Sequence, residues 1–278
     1  MYRYVVVDVF TDTPLAGNPA AVVTDADGIP AGRMQQMARE FNLSETVFAL
    51  PAQGGGDARV RIFTPSAELP FAGHPVLGTA FVLGEPAGLP RIRLETGLGV
   101  VPVEFTRENG RIVLGRMRQP IPTWEPYEQA GQVLAGLGVD SAGLPVEAYR
   151  NGPRHVYVEL AGEQAVASLQ PDMSALARLP GIGVGCFAGA GSRWTSRYFA
   201  PALGVPEDPA TGSSAGALAV HLARHGRIAF GQEIEISQGA EIGRPSRLYA
   251  RATGSADRID SVEVAGAAVI VARGELRA

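Results

Sequence analysis

The chain has 278 residues, 46% of them hydrophobic and 19% charged, which suits one large or two medium domains with a sizeable core. A net charge of -4 offers no attraction to nucleic acid or to an anionic membrane surface. All 24 basic residues are arginine, which excludes a lysine Schiff base, a phosphate-loop lysine and a lysine base, and the single Cys186 excludes an internal disulfide and cysteine-pair chemistry.

Residues 3–10 read as a first strand, with an aspartate inside the apolar run and no clean cleavage site after it, so the segment does not read as a signal peptide. No apolar run is long enough to span a membrane, and the chain reads as soluble and cytoplasmic. Residues 18–24 form a second strand. Arg33 to Phe41 is expected to be a helix with Met34, Met37, Ala38 and Phe41 on one face. Strands follow at Glu45 to Leu50 and Ala58 to Phe63. A helix over Val76 to Leu83 is expected after a Gly73-His74-Pro75 turn, then strands at Arg91 to Glu95 and Gly99 to Phe105. Three prolines between Gln119 and Pro126 suggest a linker over 119–126. Beyond it, helices are expected at Tyr127 to Leu137, Met173 to Leu179 and Ser213 to His225, and strands at His155 to Leu160, Val184 to Phe187 and towards the end.

A repeat organises this series. Arg61-x-Phe63-x-Pro65, Glu68-x-Pro70-x-x-Gly73, a helix, and Ile92-x-Leu94-x-x-Gly97 recur as Arg197-x-Phe199-x-Pro201, Glu207-x-Pro209-x-x-Gly212, a helix, and Ile234-x-Ile236-x-x-Gly239. Glu68, Pro70 and Gly73 precede their partners by one constant interval, half the chain. Shared turn chemistry could match one such motif; three in one order point to a duplicated fold. The expected domains are 1–118 and 127–264, with the C-terminal strand 265–278 a candidate to complete the first. Two helix N-termini, after Gly73 and after Gly212, would then occupy equivalent places, and if the domains face each other both favour an anion such as a carboxylate.

Glu45 starts an apolar strand just after a helix exit. Partial desolvation there would raise its pKa and suit a group that takes and returns a proton, although a solvated loop carboxylate is the common alternative. His74 follows a glycine that permits close backbone approach, and is either an acid or donor or a plain helix-capping residue. Asp208 and the Gly212-Ser213 pair open the matching helix; the pair is an anion cradle or an ordinary N-cap. His221 and His225 stand one helical turn apart, but Leu222 sits where a zinc protease has its glutamate and no third ligand is evident, so a partly exposed helix face is expected. The glycine-rich run at 181–185 precedes a strand and does not match the dinucleotide fingerprint.

The motifs Gly17-Asn18-Pro19, Asn42-Leu43-Ser44-Glu45, Phe63-Thr64-Pro65, Glu68 to Pro75 and Ala210-Thr211-Gly212-Ser213 resemble the PhzF-like family of phenazine-biosynthesis isomerases, which share the diaminopimelate epimerase fold. The resemblance runs through 119–125, 149–156, 186–191 and 241–247, essentially the whole chain. It implies an α+β fold of two pseudo-symmetric domains, each a curled, mostly antiparallel sheet around a central helix, with the site between them. It implies a cofactor-free, metal-free isomerase acting on a small cyclic amino acid, converting trans-2,3-dihydro-3-hydroxyanthranilate to an aminoketone, usually as a homodimer. The family's base falls on Glu45; its other site residues fall on His74, Asp208 and Ser213, with backbone donors near Gly73 and Gly212. Epimerase relatives carry cysteines at the two helix N-termini; their absence here excludes a two-cysteine racemase. Pro209 should hold Asp208 extended. An isomerase of another substrate, or an idle binding homologue, are the alternatives, separable by incubation with the dihydro-hydroxyanthranilate.

Overall fold

A computed structural model describes residues 1–277 and divides the chain into two compact units, one of residues 1–118 with the segment from Ala265 onward, the other of residues 119–264. The first unit begins with β1 (Tyr2–Val9), β2 (Asn18–Val23), α1 (Ala31–Phe41), β3 (Glu45–Leu50) and β4 (Ala58–Phe63). It continues with β5 (Glu68–Leu69), α2 (Gly73–Gly84), β6 (Arg91–Thr96), β7 (Gly99–Glu108) and β8 (Arg111–Gln119). The second contains β9 (Thr123–Pro126), α3 (Ala130–Leu137), β10 (Glu147–Arg150), β11 (Arg154–Glu159), α4 (Glu163–Ala167) and α5 (Met173–Ala177). After these come β12 (Gly183–Ala190), β13 (Arg193–Ala200), β14 (Val205–Asp208), α6 (Gly212–Arg224), β15 (Glu233–Gln238), β16 (Ser246–Gly254) and β17 (Ile259–Gly266). The last strand, β18 (Ala268–Leu276), pairs antiparallel with β1.

Both units are wired alike. A hairpin (β1–β2, β10–β11) lies beside a parallel strand (β3, β12), which pairs antiparallel with the next (β4, β13). That strand accepts a short antiparallel strand (β5, β14) and, after the helix, a parallel one (β6, β15). The sheets are mixed and curl about α2 and α6. These helices are apolar and small-residued on nearly every face, and almost every residue of each is buried, as a central helix requires. Gly78 lets α2 approach β1, because a Cβ there would stand 2.7 Å from Val9 and 2.9 Å from Val7.

Each repeated motif plays one role twice. Arg61 grips Glu68 through Nε and Nη2 at 2.7 Å each, and Arg197 grips Glu207 in the same two-pronged way at 2.8 Å. Each guanidinium also lies over the phenylalanine two residues on, at 5.2 Å for Phe63 and 5.0 Å for Phe199. Gly97 and Gly239 lie against Pro70 and Pro209, where a Cβ would approach the proline Cα to 2.9 and 3.0 Å.

Several expected boundaries shift. The segment 119–126 is not a linker: Thr123–Pro126 pairs with β10 and Gln119 is buried in the second unit. Proline tolerates this because strand ends and edges need fewer backbone donors. Both central helices start at their glycine, so α2 begins three residues before Val76; Pro75 fits because the first-turn N–H groups lack intrahelical partners.

The two motif ion pairs differ in burial. Arg197 and Glu207 side chains are 8% and 10% exposed, against 27% and 42% for Arg61 and Glu68. Arg197 also donates to the carbonyls of Val166, Ala167 and Leu169 at the end of α4. Arg197→Met should therefore cost about 3–5 kcal/mol by stranding a buried carboxylate, and Arg61→Met about 1 kcal/mol or less. Urea unfolding of the two variants measures the difference; equal losses would refute it.

Candidate active site

In the first unit, three polar side chains come from the starts of three elements. Asn18 opens β2, Glu45 opens β3, and His74 is the second residue of α2. Asn42, in the left-handed conformation at φ 51°, ends α1 and turns the chain towards Glu45. The side chains of Glu45 and His74 are 14% and 4% exposed, with His74 Nε2 3.3 Å from Glu45 Oε2. Asn18 Nδ2 lies 3.1 Å from His74 Nδ1. Asn18 thus meets the Nδ1 side of the ring, and Nε2 is the nitrogen on the side of the carboxylate. Burial brings the His74 pKa down to about 3, with the Pro19 carbonyl pulling weakly the other way, so the imidazole is neutral in the working range.

The second unit presents a matching start. Asp208 ends β14, extended as its following proline requires, and is 9% exposed. Thr211 Oγ1 donates to Asp208 Oδ2 at 2.6 Å, while Gln238 Nε2 donates to the Asp208 carbonyl at 2.8 Å and to Thr211 Oγ1 at 3.1 Å. Ser213 lies within the first turn of α6; it is not the N-cap, which is Thr211. Neither Ala72 nor Thr211 gives its helix a side-chain cap, so the first-turn amides at Gly73 and Gly212 keep the anion-seeking character of an uncapped terminus. Glu45 and His74 thus meet within one unit, and Asp208, Gly212 and Ser213 cluster within the other.

The chain's family follows from comparison with known proteins. A family model described as "Phenazine biosynthesis-like protein" matches residues 7–274. The chain belongs to this family. A trans-2,3-dihydro-3-hydroxyanthranilate isomerase of Pseudomonas aeruginosa is 55% identical over 274 residues, covering 99% of each chain. The crystal structure of a PhzF-family phenazine biosynthesis protein from Bacillus anthracis superposes with a TM-score of 0.86 at 25% identity, covering 100% of this chain and 99% of that one. A probable proline racemase from Agrobacterium radiobacter, 14% identical and covered to 93% by 100% of this chain, superposes with a TM-score of 0.68 and shares the fold alone. The fold of this PhzF-family chain is accordingly α+β and epimerase-like. Among the described residues no helix is long and apolar enough to cross a membrane.

Several supporting residues carry no chemical signature of their own. Asn18 and Thr211 lie inside the family motifs Gly17-Asn18-Pro19 and Ala210-Thr211-Gly212-Ser213, where an amide and a hydroxyl announce no chemistry. Gln238 repeats no motif position and is joined to Asp208 only by folding.

The histidine pair of α6 departs from expectation. His221 is fully buried, ringed by Tyr149, Tyr157 and Phe187, and only His225 is partly exposed. A third potential ligand also exists: Glu147, His221 and His225 offer atoms within 4.8 Å of one another. Arg224 Nη1, however, donates to the same Glu147 oxygen at 2.8 Å, so a guanidinium already supplies the positive charge. Burial pushes the Glu147 carboxyl up, but hydrogen bonds from His221, His225, Tyr149 and Arg224 outweigh it and hold it well below the usual carboxylate range. The cluster is a charge-compensated tie between β10 and the end of α6. Cys186 lies in the second unit's core, where burial pushes its thiol up and away from reactivity.

His155, also wholly buried, is brought down to about 3 like His74. An unfolded chain takes up protons at these histidines below about pH 6.5, whereas the folded chain refuses them until about 3. Their neutral burial therefore supports folding fully above the unfolded value and progressively less as pH falls towards the folded one. Imidazole nitrogen NMR at pH 5 should find both rings unprotonated; a midpoint near the free-histidine value at either ring would contradict the burial.

Proposed function

We propose that this chain is a cofactor-independent isomerase that converts trans-2,3-dihydro-3-hydroxyanthranilate to an aminoketone in phenazine biosynthesis. The reading is supported by the full-length 55% identity to an enzyme of that name. The observation that carries the chemistry is the Glu45 carboxylate, side chain 14% exposed, with the His74 ring nitrogen at 3.3 Å. Such a carboxylate can take a proton from carbon and hand it back, and the neutral imidazole beside it does not tie it up in a full ion pair.

In this reading Glu45 removes the proton from C3, the ring carbon bearing the hydroxyl. The diene electrons shift and the protonated Glu45 returns a proton at C1. The C3 enol so formed then tautomerises to the ketone. Only double bonds and protons move, so no redox partner is needed. In the second unit the α6 N-terminus with Ser213 is read as the receiver of a substrate carboxylate and Asp208 as the partner of the amino group, with a backbone donor at Gly212; in the first, His74 assists at the oxygen or in proton transfer, with a backbone donor at Gly73. Thr211 and Gln238 hold Asp208 in its place. The enzyme is further read as a cytoplasmic homodimer, in keeping with its family.

Loss of the substrate's ultraviolet absorbance reports turnover. Glu45→Gln should lower kcat by at least about 10²-fold, the low end for a general acid–base group, with an unchanged unfolding transition. A folded Glu45→Gln variant with near-normal turnover would remove Glu45 from the mechanism.

A further inference from the structure

The duplicated halves are not chemically equivalent, and the difference is fixed by strand register. Thr46 pairs with Phe63 in β3–β4, and Val184 pairs with Phe199 in β12–β13. Phe63 and Phe199 are the same position of the repeated Arg-x-Phe-x-Pro motif. Glu45 in the first half therefore corresponds to Gly183 in the second. The neighbouring parallel strands agree, since Ala20 pairs with Glu45 and His155 pairs with Gly183. Where the first half has an acid beside an alanine, the second has a glycine beside a histidine.

The space at Gly183 is filled: any Cβ there would run into the Tyr198 hydroxyl. That hydroxyl lies 2.6 Å from His155 Nδ1. His155 Nε2 lies 3.2 Å from Asn151 Oδ1, and Asn151 Nδ2 donates to the Ser213 carbonyl at 2.9 Å. The proton positions in this chain are determined. An amide oxygen only accepts, so Nε2 carries the ring proton. Nδ1 of the neutral ring must then accept from Tyr198 O–H. The run is directed from Tyr198 through His155 and Asn151 to Ser213, every member lying at 5% exposure or less. Two further side chains hold the adjacent carbonyls, with Gln119 donating to Gly212 at 2.9 Å and Tyr157 to Ser214 at 2.7 Å.

We propose that the second half has exchanged the catalytic acid position for a Tyr198–His155–Asn151 relay whose task is to position Ser213 and the first turn of α6 for the substrate's carboxylate. These are positioning residues acting through Ser213 and its neighbouring amides. The proposal rests on the isomerase reading above for its substrate, but the effect on the helix turn does not depend on it. An oriented first turn matters because the amides bind an anion only when their N–H vectors converge.

Asn151→Asp keeps the shape of the amide but puts an acceptor against the Ser213 carbonyl; Tyr198→Phe removes only the hydroxyl and is the gentler second variant. Hydrogen exchange of the peptide spanning the start of α6 should quicken by about tenfold in both while the rest of the second unit is unchanged. KM for the dihydro-hydroxyanthranilate should rise about tenfold, the worth of one buried hydrogen bond, with kcat within about threefold of wild type. Unchanged exchange in the folded Tyr198→Phe variant overturns the relay. Faster exchange with unchanged KM overturns its role in the site, as does a fall in kcat alone. A wild-type protein that does not turn the substrate over refutes the isomerase reading, and the exchange measurement still decides whether the relay holds the helix turn.

Discussion

The proposed chemistry depends on one constraint: a carboxylate and an imidazole share a nearly dry corner of the first unit without forming a permanent ion pair. Glu45 can approach His74 to 3.3 Å because β3 and α2 both begin there. Burial keeps His74 neutral. A charged histidine would bind the carboxylate firmly and make it a poor base; a fully solvated carboxylate would compete with water for the proton. The start of α2 lends its dipole to the same corner and favours negative charge near it.

Duplication supplies the scaffold and divergence supplies the roles. Paired Arg–Glu clamps, Gly–Pro contacts and central helices recur in both halves. At the positions facing the two helix starts the halves part company. Glu45 and His74 stand in one, Gly183 and Ser213 in the other. On the proposed function the first moves protons and the second holds an anion, with Asp208 fixed by Thr211 and Gln238. The two-fold plan is thus asymmetric at matching strand positions, Glu45 in one half and Gly183 in the other, with Tyr198 filling the space beside Gly183.

Much of this was legible in the sequence because it is local. The repeat spacing exposes the duplication, and a carboxylate opening an apolar strand after a helix exit makes Glu45 a candidate, which only the family resemblance lifts above a solvated loop residue. Glycine preceding His74 and Ser213 marks both helix starts, although α2 begins three residues before its apolar run at Val76, since Gly73, His74 and Pro75 hide its first turn from periodicity, whereas α6 begins one residue before Ser213. What was not legible is what folding brings from afar. His221 follows the pattern of an amphipathic helix, yet its burial depends on Tyr149 and Tyr157, which join it from two distant strands. Prolines at 120, 122 and 126 argue for a linker, but strand pairing with β10 overrides them. Gln238 and Asn151 are ordinary amides until the sheet sets them beside Asp208 and Ser213.

The central claim is that one enzyme carboxyl carries a proton between two carbons of the same ring. Substrate deuterated at the carbon bearing the hydroxyl tests it, followed by single turnover in ordinary water and proton NMR of the product. A primary isotope effect on turnover, with part of the label delivered to C1, is the predicted result. Turnover indifferent to the label, with none of it at C1, would contradict proton transfer by Glu45.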